Sequence, residues 1–153
     1  MNLDYLTIKW IHILSSVLMV GTGFGSAFYL YFANRTKNFQ TIKDVSKLVV
    51  FADYLFTFPT VVIQPLSGYF LIKLGGFDPT STWLLYSYVL FAIAGLSWLP
   101  VVWLQIKMAK IMSESNTQIP ERYWTYARIW TSLGYIGFSS TIIIYWLMVN
   151  KPS

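Results

Sequence analysis

The chain predicts an all-α transmembrane four-helix bundle, and three observations carry that prediction. Four stretches hold no full charge: Trp10–Phe32, Tyr54–Ile72, Trp83–Ile106 and Ile129–Val149. At 1.5 Å rise per residue, about 20 apolar residues cross the roughly 30 Å hydrocarbon core of a bilayer. The composition agrees, with 56% hydrophobic and only 11% charged residues, where a soluble domain has about 25% charged. Lipid offers the backbone no hydrogen-bond partners, so spanning segments are helices or closed barrels, and barrel strands would alternate over about ten residues. Unbroken apolar runs therefore read as helices. One membrane domain over residues 1–153 follows, with spans near 7–32, 48–73, 83–106 and 128–149.

Helix one is expected from near Tyr5 to about Ala33, with Lys9 snorkelling outward on its long stem. Its apolar run is too long for a secretory signal and its leading segment carries Asp4, so it reads as a retained signal anchor. Ser15, Ser16, Gly21, Gly23, Gly25, Ser26 and Ala27 make its middle small. The Gly21–Gly25 pair lets another backbone approach closely, within the bundle or at a homodimer seam.

A polar loop, Asn34–Thr41, leads to helix two near Ile42. Pro59 and Pro65 each remove a backbone hydrogen bond there and invite a kink. Gly75, Gly76, Phe77, Asp78 and Pro79 make a short turn. Helix three runs from about Thr82 past Ile106, bent at Pro100, and continues as a surface helix that rests Met108, Ile111 and Met112 on the interface. Ser113–Ile119 connects to helix four, with Pro120 in its first turn. Tyr123, Trp124, Tyr126 and Trp130 read as one interfacial belt; Trp83, Tyr86 and Tyr88 read as the other.

The net charge of +5 is a matter of topology. Arg35, Lys37, Lys43, Lys47, Lys107, Lys110, Arg122 and Arg128 lie on one side; Lys9, Lys73 and Lys151 lie on the other. The positive-inside rule puts the first group in the cytoplasm and both termini outside. The partner implied is the lipid bilayer, with anionic headgroups as counter-charge and no nucleic acid. A homo-oligomer or a larger membrane complex stays open. The chain has no cysteine, which removes disulfides, thiolate metal sites and cysteine nucleophiles.

His12 is the only histidine and lies inside a span, where ionisable groups are scarce and face the bundle interior. Spacing of three and four puts it on one face with Ser15 and Ser16, then Met19 and Gly23. That surface suits an imidazole presented to a flat ligand, with haem b on an axial His the most economical choice. A lone His lacks the co-ligands of a zinc or copper site. The plain alternative is an imidazole that hydrogen-bonds a neighbouring helix.

A polar stripe follows on helix two: Asp53, Thr57, Thr60, Gln64 and Ser67. Asp53 reads first as a structural ion pair with Lys47, Lys107 or Arg128, and second as the inner end of a proton route. Arg128, Ser132, Tyr135 and Ser139 form a similar interior stripe on helix four.

The segment Ile8-Lys9-Trp10-Ile11-His12-Ile13-Leu14-Ser15, with Gly21–Tyr29 after it, resembles the opening helix of a bacterial family of predicted integral membrane proteins of unknown function. That family is grouped with the copper-resistance protein D-like superfamily. The same helix resembles the haem-dependent four-helix protoporphyrinogen oxidases, which open with a Lys-x-x-His helix matched here by Lys9 and His12. Pro59 and Gly68 resemble the Pro and Gly spacing of their second helix. The resemblance implies haem b on His12 and a bacterial inner-membrane location. The oxidases' further histidines around helix three have no counterpart between Trp83 and Trp98, so their activity does not carry over.

Three functions follow as expectations. The first is membrane electron transfer or porphyrin chemistry with haem b on His12. The second is a non-catalytic membrane subunit or assembly factor. The third is small-solute or ion permeation along Thr57, Thr60 and Gln64.

Overall fold

A computed structural model describes residues 4–152. Four long helices make up the described chain: α1 (Tyr5–Thr36), α2 (Phe39–Gly75), α3 (Thr82–Glu114) and α4 (Glu121–Asn150). Each is apolar and long enough to cross a membrane, and each runs past the span read from sequence.

α1 starts where Asp4, in extended backbone, accepts a hydrogen bond from the Thr7 N–H at 2.7 Å. It ends at Lys37, whose left-handed backbone (φ 52°) returns its N–H to the Asn34 carbonyl. Asn38 then caps α2 by accepting from the Thr41 N–H at 2.9 Å. The loop expected over Asn34–Thr41 is therefore only Lys37 and Asn38, because the two caps meet back to back and helix two begins at Phe39.

α2 is regular over Phe39–Ala52, passes through a π-helical turn at Asp53–Thr57, and resumes over Phe58–Gly75. In the π-turn the Phe58 N–H reaches the Asp53 carbonyl, five residues back. Pro59 has no N–H to offer the turn before it, and the widened turn absorbs that loss in place of a break. Pro65 lies within the resumed helix. Gly76 (φ 63°) closes α2, and Phe77 N–H also returns to the Ile72 carbonyl, at 3.2 Å. In the turn beyond, Asp78 accepts from the Thr80 N–H and hydroxyl at 2.9 and 2.7 Å.

The helices pack as two hairpins, α1 on α2 and α3 on α4, joined mainly by the first half of α2 against α3. The larger apolar core sits where they join: Leu30 and Ala33 of α1, Ile42 and Val49 of α2, Leu104, Met108 and Met112 of α3, and Tyr123, Ala127 and Trp130 of α4. A smaller cluster of Trp83, Leu84 and Leu147 closes the other end. Between them the buried positions are mostly small hydroxyls, among them Ser15, Ser26, Thr60, Ser67, Ser87, Ser97 and Ser140. Small side chains let helices approach closely in lipid.

Two expectations are corrected by this packing. Met108 and Met112 are fully buried instead of resting on the interface. The cause is the extra length of α2 and α3 beyond the spans, which encloses them together with Ile42 and Tyr123. Tyr123 and Trp130 belong to the same core and not to a belt, and the Tyr123 hydroxyl donates to Asn34 Oδ1 at 2.6 Å.

Candidate functional site

Two polar clusters lie between helices. The first joins α1 to α2 around His12. His12 and Ser15 are three apart on α1; Gln64, Ser67 and Gly68 share a face of α2. The Ser67 hydroxyl donates to the Ile63 carbonyl at 2.7 Å, so it accepts from His12 Nδ1–H at 2.8 Å. Nε2 then keeps the lone pair and accepts from the Gln64 amide N–H at 3.2 Å. Gln64 Oε1 in turn accepts from the Ser15 hydroxyl. One tautomer of the neutral ring satisfies both imidazole nitrogens. Gly68 makes room for it: a Cβ there would lie 3.4 Å from His12 Cε1.

Only Ser15 of the face expected around His12 joins it. Ser16 is buried but donates to its own helix at the Ile13 carbonyl, 2.7 Å away. Met19 is half-buried, and Gly23 is exposed with no neighbour within 4 Å of a Cβ placed on it. Gly21 and Gly25 likewise have nothing within 4 Å, so the close approach expected of this pair within the bundle does not occur. Gly21 opens instead onto a groove of about 310 Å³ with Val17, Leu18, Thr22 and Phe56. No spacing rule pointed to Ser67 and Gly68 as the partners of the imidazole, because they lie 55 and 56 positions further along the chain.

The second cluster forms at the π-turn. Asp53 is 6% exposed and accepts from the Thr57 hydroxyl at 2.8 Å. It lines a cavity of about 110 Å³ with Val50, Tyr54, Phe58, Trp98, Val102, Gln105 and Ile106. The expected ion pair is absent: among the described residues the one salt bridge is Lys110–Glu114, exposed and at 3.6 Å. Lys47 and Arg128 are exposed, and the Lys107 ammonium lies over the Trp103 ring at 5.6 Å. Their long stems carry the charge outward to the headgroup region, where it stays hydrated. Gln105 was missed in sequence, although it shares with Gln64 the distinction of an amide inside an uncharged run.

Thr57, Thr60 and Ser67 are buried and Gln64 is half-buried, so the α2 stripe does face protein. It is not a continuous route. The Thr60 hydroxyl donates to the Phe56 and Thr57 carbonyls at 2.9 and 2.8 Å, and no side-chain hydrogen bond among the described residues joins it to Gln64. The stripe on α4 is overturned. Arg128, Ser132, Tyr135 and Ser139 are exposed, Tyr135 at 69%. α4 turns a different face inward, with Ala127, Trp130, Gly137 and Ser140 toward the bundle; a Cβ on Gly137 would lie 3.7 Å from Ser97 Cβ.

Haem b on His12 requires a free imidazole nitrogen and a slot for the porphyrin. Nε2 is engaged by Gln64, Nδ1 by Ser67, and Gly68 packs against the ring at Cε1. The chain has no second histidine, and no group of three His, Cys, Asp or Glu among the described residues is placed to hold a metal. So arranged, these residues do not fit an axial haem site.

Four long apolar helices with polar clusters between them define an integral membrane bundle. The family described as "Predicted integral membrane protein (DUF2269)" matches residues 6–152, and the chain belongs to that family. Comparison with curated proteins found no match, and comparison with solved structures found none either.

Proposed function

We propose that this protein is a non-catalytic membrane component, a subunit or assembly factor of a larger membrane complex, in which His12 locks α1 to α2. The observation that carries this reading is the engagement of both ring nitrogens by α2. The open side of α1 at Gly21 and Gly25 supports a partner, because two glycines four apart leave room for a helix of another subunit. In this reading the protein sits in a bacterial cytoplasmic membrane, with the eight basic residues inside and both termini on the periplasmic side.

The rival is haem b on His12 with electron transfer or porphyrin chemistry. It is favoured by the meeting of His12 with Gly68, two of the four residues on which the oxidase resemblance rests. It requires Gln64 to release Nε2. Purification from haem-replete cells, followed by reduced-minus-oxidised and pyridine haemochrome spectra, separates the two. Colourless protein that migrates in an assembly larger than one chain supports the subunit reading. A b-type spectrum abolished by His12→Ala overturns it, and so does colourless protein that stays a lone copy after cross-linking in the membrane. Ion flux in liposomes that is lost on Gln64→Leu would instead identify a permeation pathway.

A further inference from the structure

We propose that the cavity between the π-turn of α2 and α3 is a proton-binding site, with Asp53 carrying the proton and Gln105 accepting the hydrogen bond from it. The site is independent of His12 and of the reading given above.

Gln105 supplies the argument. It is 4% exposed, lines the cavity, and its Oε1 has no hydrogen-bond partner. A carboxylate has only acceptor atoms and cannot satisfy an amide oxygen; a carboxylic acid has one O–H donor. Asp53 Oδ1 is already bonded to Thr57, which leaves the other carboxyl oxygen to carry that donor. Trp98 Nε1, also in the lining, is likewise buried and without a partner. At about 110 Å³ the cavity is large enough to take water, whose share of liquid volume is about 30 Å³.

Nothing around the cavity offers a positive charge in its place. On α2 the lining includes one other titratable group, Tyr54. The α3 side contributes Trp98, Val102, Gln105 and Ile106, none of which ionises. α1 also packs on the π-turn and has no ionisable residue from Ile13 to Phe28. α4 contributes nothing to the lining. A carboxylate buried with no positive charge beside it is neutralised by a proton or by a metal cation. Hard cations take about six or more oxygen ligands, and beyond the oxygens of Asp53 and Gln105 this lining is almost wholly apolar. The proton is the cation that fits. The π-turn makes the site: its wider turn leaves Asp53 and Thr57 bonded to each other and both buried. Such turns recur at functional positions.

The test uses the full chain in lipid vesicles at neutral pH. Infrared spectra should show the C=O stretch of a protonated carboxyl, lost in Asp53→Asn and moved to higher frequency in Gln105→Leu, where the acceptor is gone. Dicyclohexylcarbodiimide, which reacts with protonated carboxyls in apolar surroundings, should label Asp53 roughly tenfold or more above Asp78, whose carboxylate Thr80 holds ionised. The wild-type measurements stand even if a variant fails to fold. Absence of both the band and the adduct at Asp53 overturns the proposal. Protection of Asp53 by sodium at fixed pH also overturns it, in favour of a metal-cation site.

Discussion

Gly68 lies against the imidazole of His12 and leaves room for the ring in the first polar cluster. A Cβ at 3.4 Å from Cε1 is ordinary contact, so Gly68→Ala should be neutral or slightly stabilising, helped by the better helix propensity of alanine. Gly68→Leu should push the ring off Ser67 and Gln64. Interhelical hydrogen bonds in membranes average about 0.6 kcal/mol each, so the loss of two should cost about 1.2 kcal/mol in unfolding from micelles. A histidine ¹⁵N spectrum that is the same in wild type and Gly68→Leu would contradict the geometry. Asp78 bears on the turn after α2. The Thr80 N–H and hydroxyl hold its carboxyl below the usual carboxylate range. The folded value lies below the unfolded one, so the contribution of this turn is complete above the ordinary range. It is lost as pH falls through the lowered value. An NMR titration should find Asp78 titrating below a free aspartate, with loosening of residues 77–81 only in acid.

At the level of the helices, the junction between α1 and α2 is made by Lys37 and Asn38. Asn38→Ala removes the side-chain acceptor for the Thr41 N–H and should cost about 1 kcal/mol, read by denaturant unfolding of the detergent-solubilised protein. The sequence made the helices legible because apolar length and capping residues are local properties. It also placed Thr57, Thr60, Gln64 and Ser67 together on one face, since helical spacing alone sets that. It misread Arg128, Ser132, Tyr135 and Ser139 for a physical reason. Spacing says which residues share a face but not where the face points. In lipid, hydroxyls are satisfied by their own helix, as Ser132 is by the Arg128 carbonyl at 3.2 Å and Ser140 by the Ile136 carbonyl at 2.9 Å. Ser132 is exposed and Ser140 is buried, so polarity ceases to mark the inside.

For the molecule as a whole, the distribution of charge makes a topology claim that can be read directly. The chain has no native cysteine, so single substitutions report cleanly. Pro79→Cys, in the turn between α2 and α3, should react with a membrane-impermeant maleimide in intact cells. Asn116→Cys, between α3 and α4, should react only after permeabilisation. The reverse pattern would invert the protein in the membrane. The number of crossings was legible in the sequence alone, because bilayer thickness acts on each segment separately. The pairing of His12 with Ser67 and Gln64, the placing of Gln105 beside Asp53, and the outward turn of the α4 stripe were decided only by the tertiary structure. Those depend on how far each helix rotates and slides against its neighbours, which is set by the room left at positions such as Gly68 and Gly137 and by the extra residue of the π-turn.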